Sequence, residues 1–188
     1  MTELASAHAP CLVAGVPSER TADDRFVRLY QEILPKVYAF VRAQVISPQV
    51  AEDVVGRIFE KVYRHKDEIP PGHEGQLWVF RVAHRTLIDH RRVEGRRERL
   101  SVSIEEVGEL AGASDPEGRC LLRERQALLL REIGRLPEHD RTLLGLRFGG
   151  QRTNRDIAAL LKSTEGAISM RLLRALERLR RRLRELQP

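Results

Sequence analysis

A chain of 188 residues has room for one medium domain or two small ones. Its composition, 41% hydrophobic and 32% charged with only 5% aromatic residues, favours small helical domains with well-solvated faces and argues against a β-sandwich. The net charge of +6 is unevenly placed, with ten Lys/Arg against four Asp/Glu from Arg152 to Pro188, seven against three from Arg81 to Arg99, and five acids with no base from Ser103 to Gly118; two basic segments flank an acidic one, which points to a polyanion met at two places.

Residues 1–20 carry no basic region ahead of a weak apolar patch and read as a disordered lead-in, not a secretion signal. No apolar run approaches the ~20 residues of a membrane span. Cys11 and Cys120 fit no metal-ligand spacing and read as free thiols of a reducing compartment. The expectation is a cytoplasmic protein with no membrane partner.

The first helix is expected from Thr21, a plausible N-cap followed by Asp23 and Asp24. Phe26, Leu29, Tyr30, Ile33, Val37, Phe40, Val41 and Val45 recur at helical spacing, and Pro35 predicts a bend or a restart. Ser47-Pro48 is a second start, an N-cap with proline at the first helical position. Val50, Val54, Ile58 and Val62 then extend the helix to about His65. Asp67 to Gln76, with Pro70-Pro71-Gly72 and Gly75, reads as a loop. A third helix is expected from Leu77 into Arg91-Arg92. Three amphipathic helices make a first bundle over residues 21–97.

Residues 98–118 read as an acidic linker, with a short helical piece around Glu105 to Leu110. The second domain, residues 119–188, opens with a helix carrying Leu121, Leu122, Leu128, Leu129 and Ile133. Leu136-Pro137 starts another, and Gly149-Gly150 is expected to stop it by supplying unusual backbone angles. Thr153 and Asp156 then have the spacing of a capping box. Ile157, Ala158, Leu160 and Leu161 form a short apolar face. Lys162-Ser163-Thr164 breaks the chain, and Thr164 can cap a last helix with Ile168, Leu172, Leu176, Leu179 and Leu183 on one side.

Short helix, tight turn and longer helix make a helix-turn-helix, whose second helix enters the major groove. Ser169, Arg171, Arg174 and Arg178 lie away from the apolar stripe. The earlier ones are placed to reach base edges, where arginine can hold guanine with two hydrogen bonds; later ones, with Arg181 and Arg182, suit phosphates.

The run Leu136-Pro137-Glu138-His139-Asp140-Arg141-Thr142-Leu143-Leu144, with Arg147-Phe148, Asp156-Ile157-Ala158 and Gly166-Ala167-Ile168-Ser169-Met170-Arg171, is similar to region 4 of extracytoplasmic-function (ECF) sigma factors. Ala51-Glu52-Asp53-Val54-Val55, Phe59-Glu60-Lys61-Val62-Tyr63, and Leu77-Trp78-Val79-Phe80-Arg81-Val82-Ala83 before Leu87-Ile88-Asp89-His90-Arg91-Arg92 resemble region 2. Gly56-Arg57 stands where the family often has Gln-Glu, Ala83-His84-Arg85 where it has Ala-Arg-Asn, and Lys162 where it often has glycine.

The resemblance implies an all-α protein of two small helical domains that carries RNA polymerase core to promoters. It implies contact with the −35 element through Thr164, Ser169, Arg171, Arg174 and Arg178. Asp53, Arg57 and Glu60 would meet the polymerase clamp. The loop bearing His73 and Gln76 would hold a flipped −10 base. Arg81, Arg85 and Arg92, spaced four and seven apart, would track the phosphate backbone. Trp78 and Phe80 can stack on melted bases or pack in the core. An anti-sigma factor is a further implied partner.

A stand-alone dimeric helix-turn-helix regulator is the alternative, and it leaves the first domain without a task. No Gly-rich phosphate loop, nucleophile elbow or zinc-ligand set is present. His84 and His90 are six residues apart, roughly 240° around a helix, so they do not converge on a metal. No catalytic residue, metal or cofactor is expected.

Overall fold

The computed structural model describes residues 22–100 and 118–185, with side chains over 22–94 and 124–185. The expectations for residues 1–20 and for a helix around Glu105 to Leu110 lie outside the described residues, as do Cys11 and the side chain of Cys120.

Among the described residues every regular element is helical. Helix α1 is Ala22–Arg42, α2 Pro48–Arg64 and α3 Gly72–Leu100, with a 3₁₀ turn at Lys66–Glu68. Helix α4 is Gly118–Gly134 and α5 Glu138–Leu144; a π-helical turn, Gly145–Gly149, precedes α6, Asn154–Leu161, and α7, Glu165–Arg184. No helix among the described residues is long and apolar enough to cross a membrane.

Local chemistry explains most starts. The Ser47 side chain accepts from the Val50 amide at 3.4 Å, with Pro48 at the first helical position. Thr153 and Asp156 form a complete capping box, each side chain bonded to the other's backbone amide at 3.1 Å. Lys162 ends α6 in the left-handed conformation, φ 51° and ψ 52°, which a residue with a Cβ adopts at a cost of roughly 1–2 kcal/mol.

The N-terminal bundle packs Ile33, Val37, Phe40 and Val41 of α1 against Val54, Ile58 and Val62 of α2 and Val79, Phe80, Ala83 and Leu87 of α3. Phe40 and Phe80 meet edge to face, 5.8 Å between centroids. Phe80 is fully buried, so its role is packing, while Trp78 is half-buried at the edge of the core. The C-terminal bundle closes Leu143, Leu144, Leu146, Ile157, Ile168, Leu172 and Leu179 around one another.

Four boundaries differ from the sequence expectation. α1 runs through Pro35 as one helix, because buried residues on both sides, Ile33 and Val37, hold the two halves in register. α3 starts at Gly72 instead of Leu77; Gly72 takes φ +64°, which turns the chain from Pro70-Pro71 directly into a helix. His73 and Gln76 therefore sit on the first turns of α3, not in a loop. At its other end α3 continues to Leu100, past Arg92. Finally, Gly149 and Gly150 keep negative φ, and the left-handed residue at that stop is Gln151, φ 54°. Space, not backbone freedom, demands those glycines: a Cβ on Gly149 would lie 2.8 Å from the Ala39 carbonyl carbon, and one on Gly150 2.8 Å from Phe80 Cε1.

Those contacts join the bundles. The buried side chains of both form one continuous apolar cluster, and the π turn lies along α1.

Candidate nucleic-acid interface

Helix α7 positions the expected −35 residues. Its apolar stripe, Ile168, Leu172, Ala175 and Leu179, is buried, which turns the opposite face outward. Thr164 caps the helix, its hydroxyl accepting from the Ala167 amide at 3.3 Å. The Ser169 hydroxyl donates to the Glu165 carbonyl at 3.0 Å and accepts from the Asn154 amide at 2.8 Å, which braces α7 against α6. Arg171 and Arg174 are exposed and make no hydrogen bond or ion pair with the described residues. Arg178 differs: its Nη1 donates to Oδ2 of buried Asp140 on α5 at 2.5 Å. Arg182 likewise donates to buried Glu132 of α4 at 3.0 Å.

Arg81, Arg85 and Arg92 are exposed on α3, also without a partner among the described residues. His73 and Gln76 are not free. The His73 ring Nε2 is 2.8 Å from Asp156 Oδ1. Gln76 Nε2 donates to Glu32 at 2.5 Å, and its Oε1 accepts from Arg152 at 3.0 Å. The two thus touch the C-terminal bundle, while Arg81, Arg85 and Arg92 do not. Beside Gln76 lies a cleft of about 350 Å³ between α1 and residues 66–76, lined by Arg25, Arg28, Glu32, Lys66, Ile69 and Pro71 among others.

On α2, Asp53 and Arg57 are exposed and unpaired among the described residues, and Glu60 pairs with Arg64 at 2.5 Å. All three are separate from the arginines of α7.

Electrostatics follow from packing. Burial pushes the Asp156 carboxyl up, but the bonds from His73 and Thr153 outweigh it and hold the group below its ordinary range. Burial lowers the Arg152 guanidinium, while the charges of Asp156 and Glu32 support it. His84 is depressed, first by burial and then by the charge of Arg91, against an opposing pull from Glu138.

Sequence reasoning passed over Arg152, Asp140, Asp156 and Glu132 as functional positions. Arg152 is only 4% exposed, lies over the Phe80 ring at 4.9 Å and donates to the Gly150 carbonyl at 2.8 Å. Its one advance signal was the composition of its flank, a cation two positions after a pair of glycines. Arg155, exposed at the start of α6, was also not singled out.

Comparison with known proteins agrees with this arrangement. Residues 29–97 match the Sigma-70 region 2 family and residues 133–181 the Sigma-70, region 4 family. The ECF RNA polymerase sigma-E factor of Escherichia coli strain K12 is 31% identical over 149 residues, 76% of this chain and 78% of that one. The ECF RNA polymerase sigma factor RpoE of Cereibacter sphaeroides is 29% identical over 164 residues, covering 84% and 86%. Among solved structures, the sigma factor RpoE from Bartonella quintana, in complex with the anti-sigma factor NepR, superposes with a TM-score of 0.69 at 22% identity, over 85% of this chain and 96% of that one. With both regions present in order on an all-helical fold, the chain belongs to the ECF sigma factors of RNA polymerase, in the sigma-70 family.

Proposed function

We propose that residues 119–188 read the −35 element through the start of α7, that residues 21–97 engage the −10 element and the polymerase clamp, and that residues 98–118 link them. One observation carries this reading: Arg171 and Arg174 stand exposed and uncommitted on the outward face of α7, directly after a capped, braced turn. That is the geometry for two-pronged contact with guanine edges.

Thr164 and Ser169 set the approach of the helix, and Arg178 contributes by holding α7 on α5 as much as by any contact with DNA. Arg155 on α6, the helix that crosses the backbone in this motif, takes a phosphate. On the other bundle, the cationic cleft beside Gln76 receives a displaced base, with His73 and Gln76 at its rim. Arg81, Arg85 and Arg92 follow the backbone. Asp53, Arg57 and Glu60 face the polymerase. The protein acts in the cytoplasm as a binding factor without catalysis of its own, and an anti-sigma factor of the kind seen with the Bartonella structure holds it inactive.

Run-off transcription with core enzyme over a promoter library tests this. Added protein should redirect initiation to one class of promoter. Initiation unchanged by the protein overturns the reading. A stand-alone regulator would instead select its DNA without core, and it leaves residues 29–97 without a role.

A further inference from the structure

The outward face of α7 is not made of arginine alone. At about 100° per residue, the buried residues Ile168, Leu172, Ala175 and Leu179 centre on one line along the helix. Met170 stands about 170° from that line, with Leu173 and Arg174 flanking it at about 130° on either side. Arg171 lies only about 70° from the line, so its long side chain approaches from the flank. The side chain aimed most directly away from the bundle in the first two turns is therefore a methionine, 53% exposed, with Leu173 beside it at 48%. We propose that Met170 is a specificity-determining residue of the −35 contact, and that it reads the 5-methyl group of a thymine in the major groove. The proposal rests on the recognition role given to α7 above and adds the base chemistry it selects.

The neighbours of Met170 favour a base edge over other surfaces. Gly166, one turn earlier on the same ridge, is exposed, and a Cβ built there meets nothing within 4 Å. No side chain projects ahead of the thioether, and the start of α7 can come close to DNA. The Ser169 hydroxyl is already committed, donating to the Glu165 carbonyl at 3.0 Å and accepting from Asn154 at 2.8 Å. It fixes the roll of α7 against α6 and leaves the next side chain to meet the base. Further along the ridge stands exposed Glu177, about 10 Å beyond Met170. A carboxylate there is repelled by phosphates, which confines close approach to the first two turns. Within those turns Met170 has no N–H or O–H to donate. The apolar group that the major groove offers is the thymine methyl, and the flexible, polarisable methionine side chain can settle against it. Arg174, beside it, supplies the hydrogen bonds that Met170 lacks.

Deoxyuridine lacks the thymine methyl and keeps every hydrogen-bonding group, so it tests this contact alone. Holoenzyme assembled from core and the full chain first selects its −35 element from a promoter library. It is then given duplexes in which each −35 thymine in turn is replaced by deoxyuridine. One replacement should weaken wild-type binding about fourfold, the worth of one buried methyl group. Met170→Ala should bind the thymine and deoxyuridine duplexes equally, while Met170→Leu should keep most of the difference. Both variants should retain the helical circular dichroism of the wild type, because the side chain lies outside the core. A selected −35 element without thymine overturns the proposal. So does wild-type binding that no deoxyuridine replacement changes, or a Met170→Ala holoenzyme with the wild-type ratio. Failure of Met170→Ala to join core in the absence of DNA also overturns it, and assigns the apolar strip to a protein partner. The recognition role of α7 fails separately, if exchanging −35 base pairs for others leaves binding unchanged.

Discussion

Arg178 and Asp140 form an ion pair across α7 and α5, with the carboxylate 1% exposed and the guanidinium Nη1 2.5 Å from its Oδ2. The His139 ring stands 2.9 Å from the other oxygen but out of hydrogen-bonding line. Arg178→Ala leaves that buried carboxylate without its hydrogen bond, a loss of about 1–3 kcal/mol. Urea denaturation should show it as a lower midpoint at unchanged slope.

Arg171→Ala and Arg174→Ala should behave in the opposite way. Both side chains are exposed and unpaired among the described residues, so the denaturation midpoint should stay within roughly 0.5 kcal/mol of wild type. Discrimination between −35 sequences should fall by about 1–3 kcal/mol for whichever arginine holds a base. Competitive transcription between matched and mismatched promoters measures it. Equal discrimination in both variants removes the recognition role from this face.

Lys162 is exposed and holds a left-handed backbone conformation. Lys162→Gly removes the Cβ conflict at the price of a more flexible unfolded chain, for a net gain of roughly 0.5–1 kcal/mol. Thermal unfolding should shift upward by a few degrees. A downward shift would show that the lysine makes up for its backbone strain elsewhere.

Histidine 84 ties stability to pH. Its folded value lies below the ordinary 6.5, through burial and the charge of Arg91. The unfolded chain therefore takes up a proton at a pH where the folded chain does not. Its contribution is complete above 6.5 and is lost as pH falls from there through the folded value. His84→Gln should flatten the stability profile across that window, as followed by urea midpoints at successive pH values.

Features that depend on near neighbours in sequence were legible. Ser47-Pro48, the Thr153–Asp156 box and the Thr164 cap each involve residues within three positions, whereas Lys162 stood out only because the family it resembles often has glycine there. Features that depend on the other bundle were not. Gly149-Gly150 reads as a stop signal in sequence, yet its reason is Ala39 and Phe80, more than sixty positions away. Arg178 shares a helical face with Arg171 and Arg174, and periodicity cannot tell an outward cation from one that bends back to a buried acid. His73 and Gln76 were placed in a loop because prolines and glycines crowd that stretch, whereas a single left-handed glycine is enough to start a helix.

Glu132 of α4 is 1% exposed, and its carboxylate binds Arg135 at 2.6 Å and Arg182 at 3.0 Å. Helix α4 is thus tied to the last turn of α7, away from the start of that helix, where Arg171 and Arg174 stand exposed.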